Sequence, residues 1–298
     1  MTDTACGFAA LLGAPNAGKS TLLNRLVGSK VSIVTHKVQT TRARISAICM
    51  VDQTQIVFVD TPGIFQASRR LEKAMVDAAW SGARDADAVV LLVDAERGVD
   101  EDTRTIVEGL AAQDRDAILV LNKIDRVRKE RLLTLATELG EIGRFSETFM
   151  VSALSGDGVD DLKARIAEQM PSGPWLYPPD QLADIPQRML AAEITREKLF
   201  LRLHQELPYA STVETESWQS RKDGSLRIEQ VVYVRRDSQK PIVLGKSGRT
   251  IKAIGAEARK EMEQVFDCRV HLFLFVKVRE GWVDDPERYR EMGLDFPR

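Results

Sequence analysis

The chain has 298 residues, enough for two domains with a core each, and its 44% apolar and 29% charged residues are ordinary for a globular protein. No apolar run approaches the roughly eighteen residues of a membrane span. A formal net charge of −2 excludes a protein that is basic throughout and binds nucleic acid by bulk charge alone. Cys6, Cys49 and Cys268 are odd in number, far apart and without histidine at metal-ligand spacing, which leaves buried or indifferent thiols. Residues 1–6 show neither a basic region ahead of an apolar core nor an Arg-rich amphipathic pattern, so a cytoplasmic protein is the expectation.

In chain order, a strand is expected over residues 8–12 and a helix over 19–26, joined by Gly13-Ala14-Pro15-Asn16-Ala17-Gly18-Lys19-Ser20. This is the phosphate loop G-x-x-x-x-G-K-[ST], lying between strand and helix as its mechanism requires. Glycines let successive N–H groups curl towards phosphate, and the helix N-terminus adds the positive end of its dipole. Lys19 then reaches the terminal phosphates, the Ser20 hydroxyl ligates Mg²⁺, and Thr21 joins the nucleotide-binding set. Within 30–44 lies Gln39-Thr40-Thr41-Arg42; Thr41, in preference to Thr40, is expected to complete the Mg²⁺ shell only while the γ-phosphate is present.

Strands at 45–51 and 56–59 form a hairpin around Asp52-Gln53-Thr54, and the second ends at Asp60-Thr61-Pro62-Gly63. Asp60 can hold Mg²⁺ through water and Gly63 can donate its N–H to the γ-phosphate. The next residue is Ile64, where many GTPases place a water-orienting glutamine. Isoleucine cannot hydrogen-bond to water, so slow hydrolysis is expected, with Lys19, Thr41 and Gly63 as its machinery. Arg69 and Arg70 fit either arginine fingers or solvated surface.

A helix at 71–84, a strand at 88–93, a helix at 102–113 and a strand at 117–121 lead to Asn122-Lys123-Ile124-Asp125. An aspartate at this strand end accepts hydrogen bonds from the guanine N1–H and exocyclic amine, a donor pair adenine lacks. A helix at 130–142 and a strand at 149–151 precede Ser152-Ala153-Leu154, a third wall acting through a backbone N–H, and a helix covers 159–170. Strand and helix alternate throughout, so the class is α/β, a doubly wound nucleotide domain.

Pro171-Ser172-Gly173-Pro174 and Pro178-Pro179 divide the chain into a GTPase domain at 1–172, a linker at 173–180 and a second domain at 181–298. Beyond the linker come a helix at 186–205, strands at 211–220 and 226–234 around Asp223-Gly224, a short element at 241–244, a helix at 249–266 and a strand at 269–278. The order is α-β-β-α-α-β, a smaller α+β domain. Lys240, Lys246, Arg249, Lys252, Arg259 and Lys260 face a single acid, Glu257, in this stretch. Gly245-Lys246-Ser247-Gly248 is a G-x-x-G loop, expected between an apolar strand and a helix. KH domains clamp the backbone of single-stranded RNA with such a loop. Gly245, Lys246, Ser247, Gly248, Arg249, Ile251 and Lys252 are the expected RNA contacts, with Leu244, Ile251 and Ile254 flooring the groove for bases.

The Gln-Thr-Thr-Arg and Asp-Thr-Pro-Gly pairing resembles the translation-factor-type GTPases, in the branch that includes the Era proteins. Leu176-Tyr177-Pro178, Ala192-Glu193-Ile194, Arg196-Glu197-Lys198, Glu206-Leu207-Pro208-Tyr209, Ser238-Gln239-Lys240, Glu257-Ala258-Arg259-Lys260 and Val276-Lys277-Val278 extend the resemblance to nearly the whole chain. The chain is thus similar to the Era family, GTPases with a C-terminal type II KH domain. The resemblance implies a GTP/GDP switch with Mg²⁺ that binds the 3′ region of 16S rRNA and acts in assembly of the small (30S) ribosomal subunit, with RNA affinity set by the nucleotide. It also implies a K⁺ ion near Asn16 and peripheral contact with the inner membrane; a monomer is expected. The rivals are a membrane-surface regulatory GTPase and a metabolic phosphotransferase. The absence of a basic helix with bulky apolar anchors disfavours the first, and the guanine motif disfavours the second.

Overall fold

The computed structural model describes residues 4–37, 40–42, 45–67 and 69–297, so Gln39 of the Gln-Thr-Thr-Arg motif lies outside the described residues. The chain divides into two compact units. Met1–Ser32, Thr41–Asp184 and Tyr289–Arg298 form the first, Ile33–Thr40 and Ile185–Arg288 the second.

The first unit holds β1 (Ala5–Gly13), α1 (Lys19–Val27), β2 (Ile45–Val51), β3 (Thr54–Asp60), α2 (Arg70–Asp85) and β4 (Ala88–Asp94). It continues with α3 (Glu101–Ala112), β5 (Ala117–Asn122), α4 (Lys129–Ile142), β6 (Phe145–Val151), α5 (Val159–Glu168) and β7 (Ala183–Asp184). The sheet order is β6-β5-β4-β1-β3-β2-β7. β1 is parallel to β3 and β4, β5 to β4 and β6, while β2 runs antiparallel to β3 and β7.

Neighbouring residues along the central strands feed opposite cores, because side chains alternate across a sheet. Ala9 and Leu11 of β1 join Leu22, Leu26, Leu162 and Ile166 of α1 and α5. Ala10 and Leu12 join Ala79, Ala83, Ile106, Leu110, Leu132 and Leu135 of α2, α3 and α4. Both faces are therefore covered, which is why the strands read as unbroken apolar runs. At the edge, β6 starts four residues earlier than its apolar run suggests. Ser146 and Thr148 alternate outward there, and pairing with β5 sets its extent.

The segment 173–180 is hydrogen-bonded to the first sheet. Gln55 of β3, fully buried, accepts from the N–H groups of Leu176 and Tyr177 at 2.9 and 3.0 Å and donates to the Tyr177 carbonyl at 2.9 Å. Its hydrogen bonds offset the cost of desolvating the buried amide, whereas truncating it would strand three backbone groups.

The second unit holds α6 (Gln187–Arg202), β8 (Ser211–Ser220), β9 (Leu226–Val234), α7 (Lys240–Leu244), α8 (Arg249–Val265) and β10 (Val270–Val278), followed by α9 (Pro286–Glu291). Its sheet is β10-β9-β8, with β10 parallel and β8 antiparallel to β9. The segment before the G-x-x-G loop is helix α7, not a strand: Pro241 sits in its first turn, where its missing N–H costs nothing, and its carbonyl accepts the Gly245 N–H at 2.9 Å. No described helix is long and apolar enough to cross a membrane.

Candidate functional site

The phosphate loop begins where β1 ends. Gly13 has φ 154°, and a Cβ there would lie 2.5 Å from the Leu92 carbonyl oxygen of β4. Gly18, at φ 102°, caps α1, and a Cβ there would meet the Asn122 side chain at 2.2 Å. Both positions therefore require glycine on steric as well as conformational grounds. Asn16 is exposed in the left-handed region at φ 65°.

Lys19, 7% exposed, folds back over the loop and donates to the carbonyls of Gly13 at 2.8 Å and Ala14 at 3.0 Å. Burial pulls its ammonium down to about 8, against the opposing pull of the Asp60 carboxylate. Burial likewise pushes the Asp60 carboxyl up, partly offset by the hydrogen bond from Ser32 and the charge of Lys19. Asp60 Oδ2 faces three hydroxyls, Ser32 at 2.8 Å, Ser20 at 3.4 Å and Thr41 at 3.4 Å, while its buried Oδ1 has no hydrogen-bond partner among the described residues. Ser20 Oγ and Thr41 Oγ1 are 3.0 Å apart. The Thr40 hydroxyl instead bonds to Thr35 at 2.6 Å and to the Lys37 carbonyl at 2.7 Å.

An unsatisfied buried carboxylate oxygen beside two converging hydroxyls is the donor set a hard divalent cation takes, so Ser20, Thr41 and Asp60 fit Mg²⁺. Ser32 was not foreseen. It reaches Asp60 because Asn24 of α1 accepts the Val31 and Ser32 N–H groups, both at 2.9 Å. The available signal was an asparagine in the last turns of a short helix, where it competes for backbone groups.

Gly63 lies against the loop, its imagined Cβ 3.1 Å from Pro15. Thr61 donates to the Leu11 carbonyl at 2.7 Å and, like Pro62, is buried, so both hold the strand end. Ile64, 2% exposed, packs with Leu12, Val89 and Ala79 in the core. Arg70 lies over the Phe296 ring at 5.2 Å.

Asn122 ties the site together: its amide donates to the Ala17 carbonyl at 2.8 Å and accepts the Ala153 N–H at 3.0 Å. Its side chain thus pins the phosphate loop to the third wall, and the Ala153 N–H is engaged there. Asp125 is exposed, with Oδ1 accepting from Ser152 Oγ at 2.6 Å. Lys123 takes φ 67° and pairs with Asp94 at 2.5 Å. Leu154, 68% exposed, rims the wall, and its carbonyl accepts from Arg25.

In the second unit Gly245 has φ 71°, and a Cβ there would sit 2.1 Å from Thr250 Oγ1. Gly248 has φ 75°, but its Cβ would meet nothing nearer than Lys252 Cε at 3.9 Å. The turn closes by the Gly248 N–H to the Gly245 carbonyl at 3.0 Å, leaving Ser247 in the left-handed region at φ 54°. Lys246, Ser247, Arg249 and Lys252 are exposed at the start of α8. Ile254 is fully buried in the core with Val243 and Val276, so it cannot floor a groove; Leu244 and Ile251 are only partly buried. Three positions apart, Ile251 and Ile254 share one face of α8, and both pack on the same core, Ile254 fully and Ile251 in part.

Residues 8–123 match the family described as 50S ribosome-binding GTPase and residues 206–283 match the KH domain. The GTPase Era of Sinorhizobium medicae is 64% identical over 295 residues, covering 99% of this chain and 95% of that protein. That of Brucella suis is 62% identical over 296 residues, covering 99% and 95%. A solved structure of Aquifex aeolicus Era bound to GDP and aluminium fluoride is similar at TM-score 0.91, with 35% identity over 97% of this chain and 99% of that one. An Era structure in complex with MgGDPNP and nucleotides 1506–1542 of 16S ribosomal RNA is similar at the same TM-score, identity and coverage.

Proposed function

Because this chain belongs to the Era family of GTPases, we propose that it is a slow, nucleotide-controlled RNA-binding switch of small-subunit ribosome assembly. Its hydrolytic unit cleaves GTP to GDP and phosphate, and its KH unit takes the 3′ region of 16S rRNA. The observation that carries this reading is one chain holding both a folded phosphate loop with its guanine motif and a G-x-x-G turn whose cations face solvent.

Lys19 leaves the Gly13 and Ala14 carbonyls to bind the terminal phosphates, where a fixed positive charge in a buried site favours charge developing in the transition state. The loop N–H groups and that of Gly63 orient the γ-phosphate. Ser20, Thr41 and Asp60 would hold Mg²⁺, which would supply positive charge beside the phosphates. Asp125 reads the guanine edge, with Ser152 fixing its rotamer. Ile64 turns into the core and offers the attacking water nothing, which supports slow turnover. A K⁺ ion at the exposed Asn16 is the proposed accelerator: turnover is expected to be faster in K⁺ than in Na⁺, and equal rates with Asn16→Ala also unchanged would remove the ion from the mechanism.

The deciding experiment is a gel shift of wild type and Gly248→Asp with ribosomal-RNA fragments, in GTP and in GDP. A Cβ at Gly248 meets open space, the side chain is strained only by the local φ of 75°, and the Asp places negative charge against phosphate, so RNA affinity should fall at least about tenfold while GTP hydrolysis persists. Unchanged RNA affinity would overturn the KH reading. Anionic vesicles in the same assay distinguish the proposed peripheral membrane contact, because lipid attraction follows charge alone and RNA binding keeps a sequence preference.

A further inference from the structure

The topology leaves one loop between the two walls of the nucleotide site. β4 lies between β1, which runs into the phosphate loop, and β5, which runs into the guanine motif. In register, Gly13 pairs with Leu92 and Asn122 with Asp94, so the turn after β4 adjoins both loops. We propose that this turn, Asp94 to Gly98, is a brace that positions both walls, with Asp94 holding the guanine motif through Lys123 and Arg97 holding the phosphate loop through the Pro15 carbonyl.

Asp94 is 7% exposed and gives one carboxylate oxygen to the guanine motif and the other to its own turn. Oδ2 accepts from Lys123 Nζ at 2.5 Å, while Oδ1 accepts the Glu96 N–H at 3.0 Å and the Arg97 N–H at 3.4 Å. The turn closes on the Asp94 carbonyl, which accepts from Arg97 and Gly98 at 3.1 and 2.9 Å, and the Ala95 N–H donates to the Asn122 carbonyl at 3.0 Å. That closure aims the Arg97 guanidinium at the phosphate loop: Nη1 donates to the Pro15 carbonyl at 3.3 Å, with Asp100 3.5 Å away on its far side.

The residue that needs holding is Lys123. It is a non-glycine residue at φ 67°, a conformation disfavoured for L side chains that persists only where surroundings over-determine it. A near-buried carboxylate on its ammonium does so, and that fixes the direction in which Asp125, two residues on, presents its carboxylate to the base. Pro15 is likewise the residue against which Gly63 packs, so holding its carbonyl fixes the loop where the phosphates lie. Asp94 and Arg97 touch no substrate atom in this account; they are positioning residues.

Because the brace rests on the nucleotide-site assignment, the test separates the two. GDP and IDP affinities of the full chain are measured by titration calorimetry; IDP lacks the exocyclic amine that Asp125 reads. Asp94→Asn should weaken GDP about tenfold and narrow the preference for GDP over IDP, and Asp94→Glu should restore part of both. Lys123→Met added to Asp94→Asn should cost nothing further, since the pair acts as one. Arg97→Gln should weaken GDP and IDP by the same factor, leaving the preference intact. A general loss of stability would not split base preference from affinity in this way. The brace is overturned if Asp94→Asn keeps the wild-type preference, if its loss multiplies with that of Lys123→Met, or if Arg97→Gln binds GDP as wild type does. Arg97 is half-exposed, so its variant carries the test even if Asp94→Asn does not fold. A wild type without preference for GDP over IDP would sink the guanine-site assignment and the brace with it.

Discussion

The chain contains two glycine-cornered turns that lead into helices beside basic residues, and they use the same elements in opposite ways. The phosphate loop is buried: Lys19 is folded onto its own loop, Gly13 and Gly18 are sterically obligatory, and Asn122 bolts the turn to a third wall. The G-x-x-G loop is open: Gly245 alone is sterically locked, Gly248 borders free space, and Lys246, Arg249 and Lys252 stand in solvent. A preformed, desolvated cradle strengthens each electrostatic contact and suits one small anion in one pose. An exposed turn with solvated cations suits a polymer whose backbone is recognised through several weak, salt-sensitive contacts.

The comparison breaks most sharply at Lys19. Lys19→Ala removes the buried ammonium of the phosphate loop and should lower GTP turnover on the order of a thousandfold while RNA affinity without nucleotide is unchanged. Retained hydrolysis in a phosphate-release assay would refute the assignment. Next comes Asp125→Asn, which inverts hydrogen-bond polarity at the guanine edge. GTP affinity should drop about a hundredfold, and xanthine nucleotides should bind in its place; a variant that still prefers guanine in competition binding would show that Asp125 does not read the base.

The open loop should respond more gently. Lys252→Ala should weaken RNA binding across sequences and reduce the slope of log affinity against log salt by about 0.7 for one lost phosphate contact. A slope equal to wild type would place Lys252 away from the backbone.

The smallest effect is on stability, and only the buried loop should show it. The Lys19 ammonium is held at about 8, below its ordinary 10.5. Between those values the unfolded chain binds the proton and the folded chain does not, so the Lys19 contribution to stability rises as pH climbs from about 8 towards 10.5 and is flat below about 8. Denaturant melts of nucleotide-free protein should show this rise in wild type and lack it in Lys19→Met. Equal pH slopes in the two would mean that Lys19 is solvated without nucleotide.

Local chemistry made much of this legible. The phosphate loop, the guanine motif and the G-x-x-G turn each need particular residue types at fixed spacing, because a backbone angle or a hydrogen-bond pattern admits no others. Asp94 and Arg97 carry no such signature; an Asp closing a strand and an Arg in the turn after it are common, and their meaning depends on β4 lying between β1 and β5. Ser32 likewise matters only because Asn24 folds its turn towards Asp60. The short element before the G-x-x-G loop misled because an apolar tetrapeptide has no measurable period.

The sequence by itself determined the α/β and α+β classes, the nucleotide and the loop types, since those follow from contacts within a few residues of one another. It also indicated a hydrolytic site without a water-orienting side chain after Gly63. Only the tertiary structure decided where that residue goes: Ile64 is driven into the core with Leu12 and Val89 because burying its side chain removes apolar surface from water. The same holds for which hydroxyls meet Asp60, and for the turn that reaches both walls, because strand order is set by pairing between residues distant in sequence.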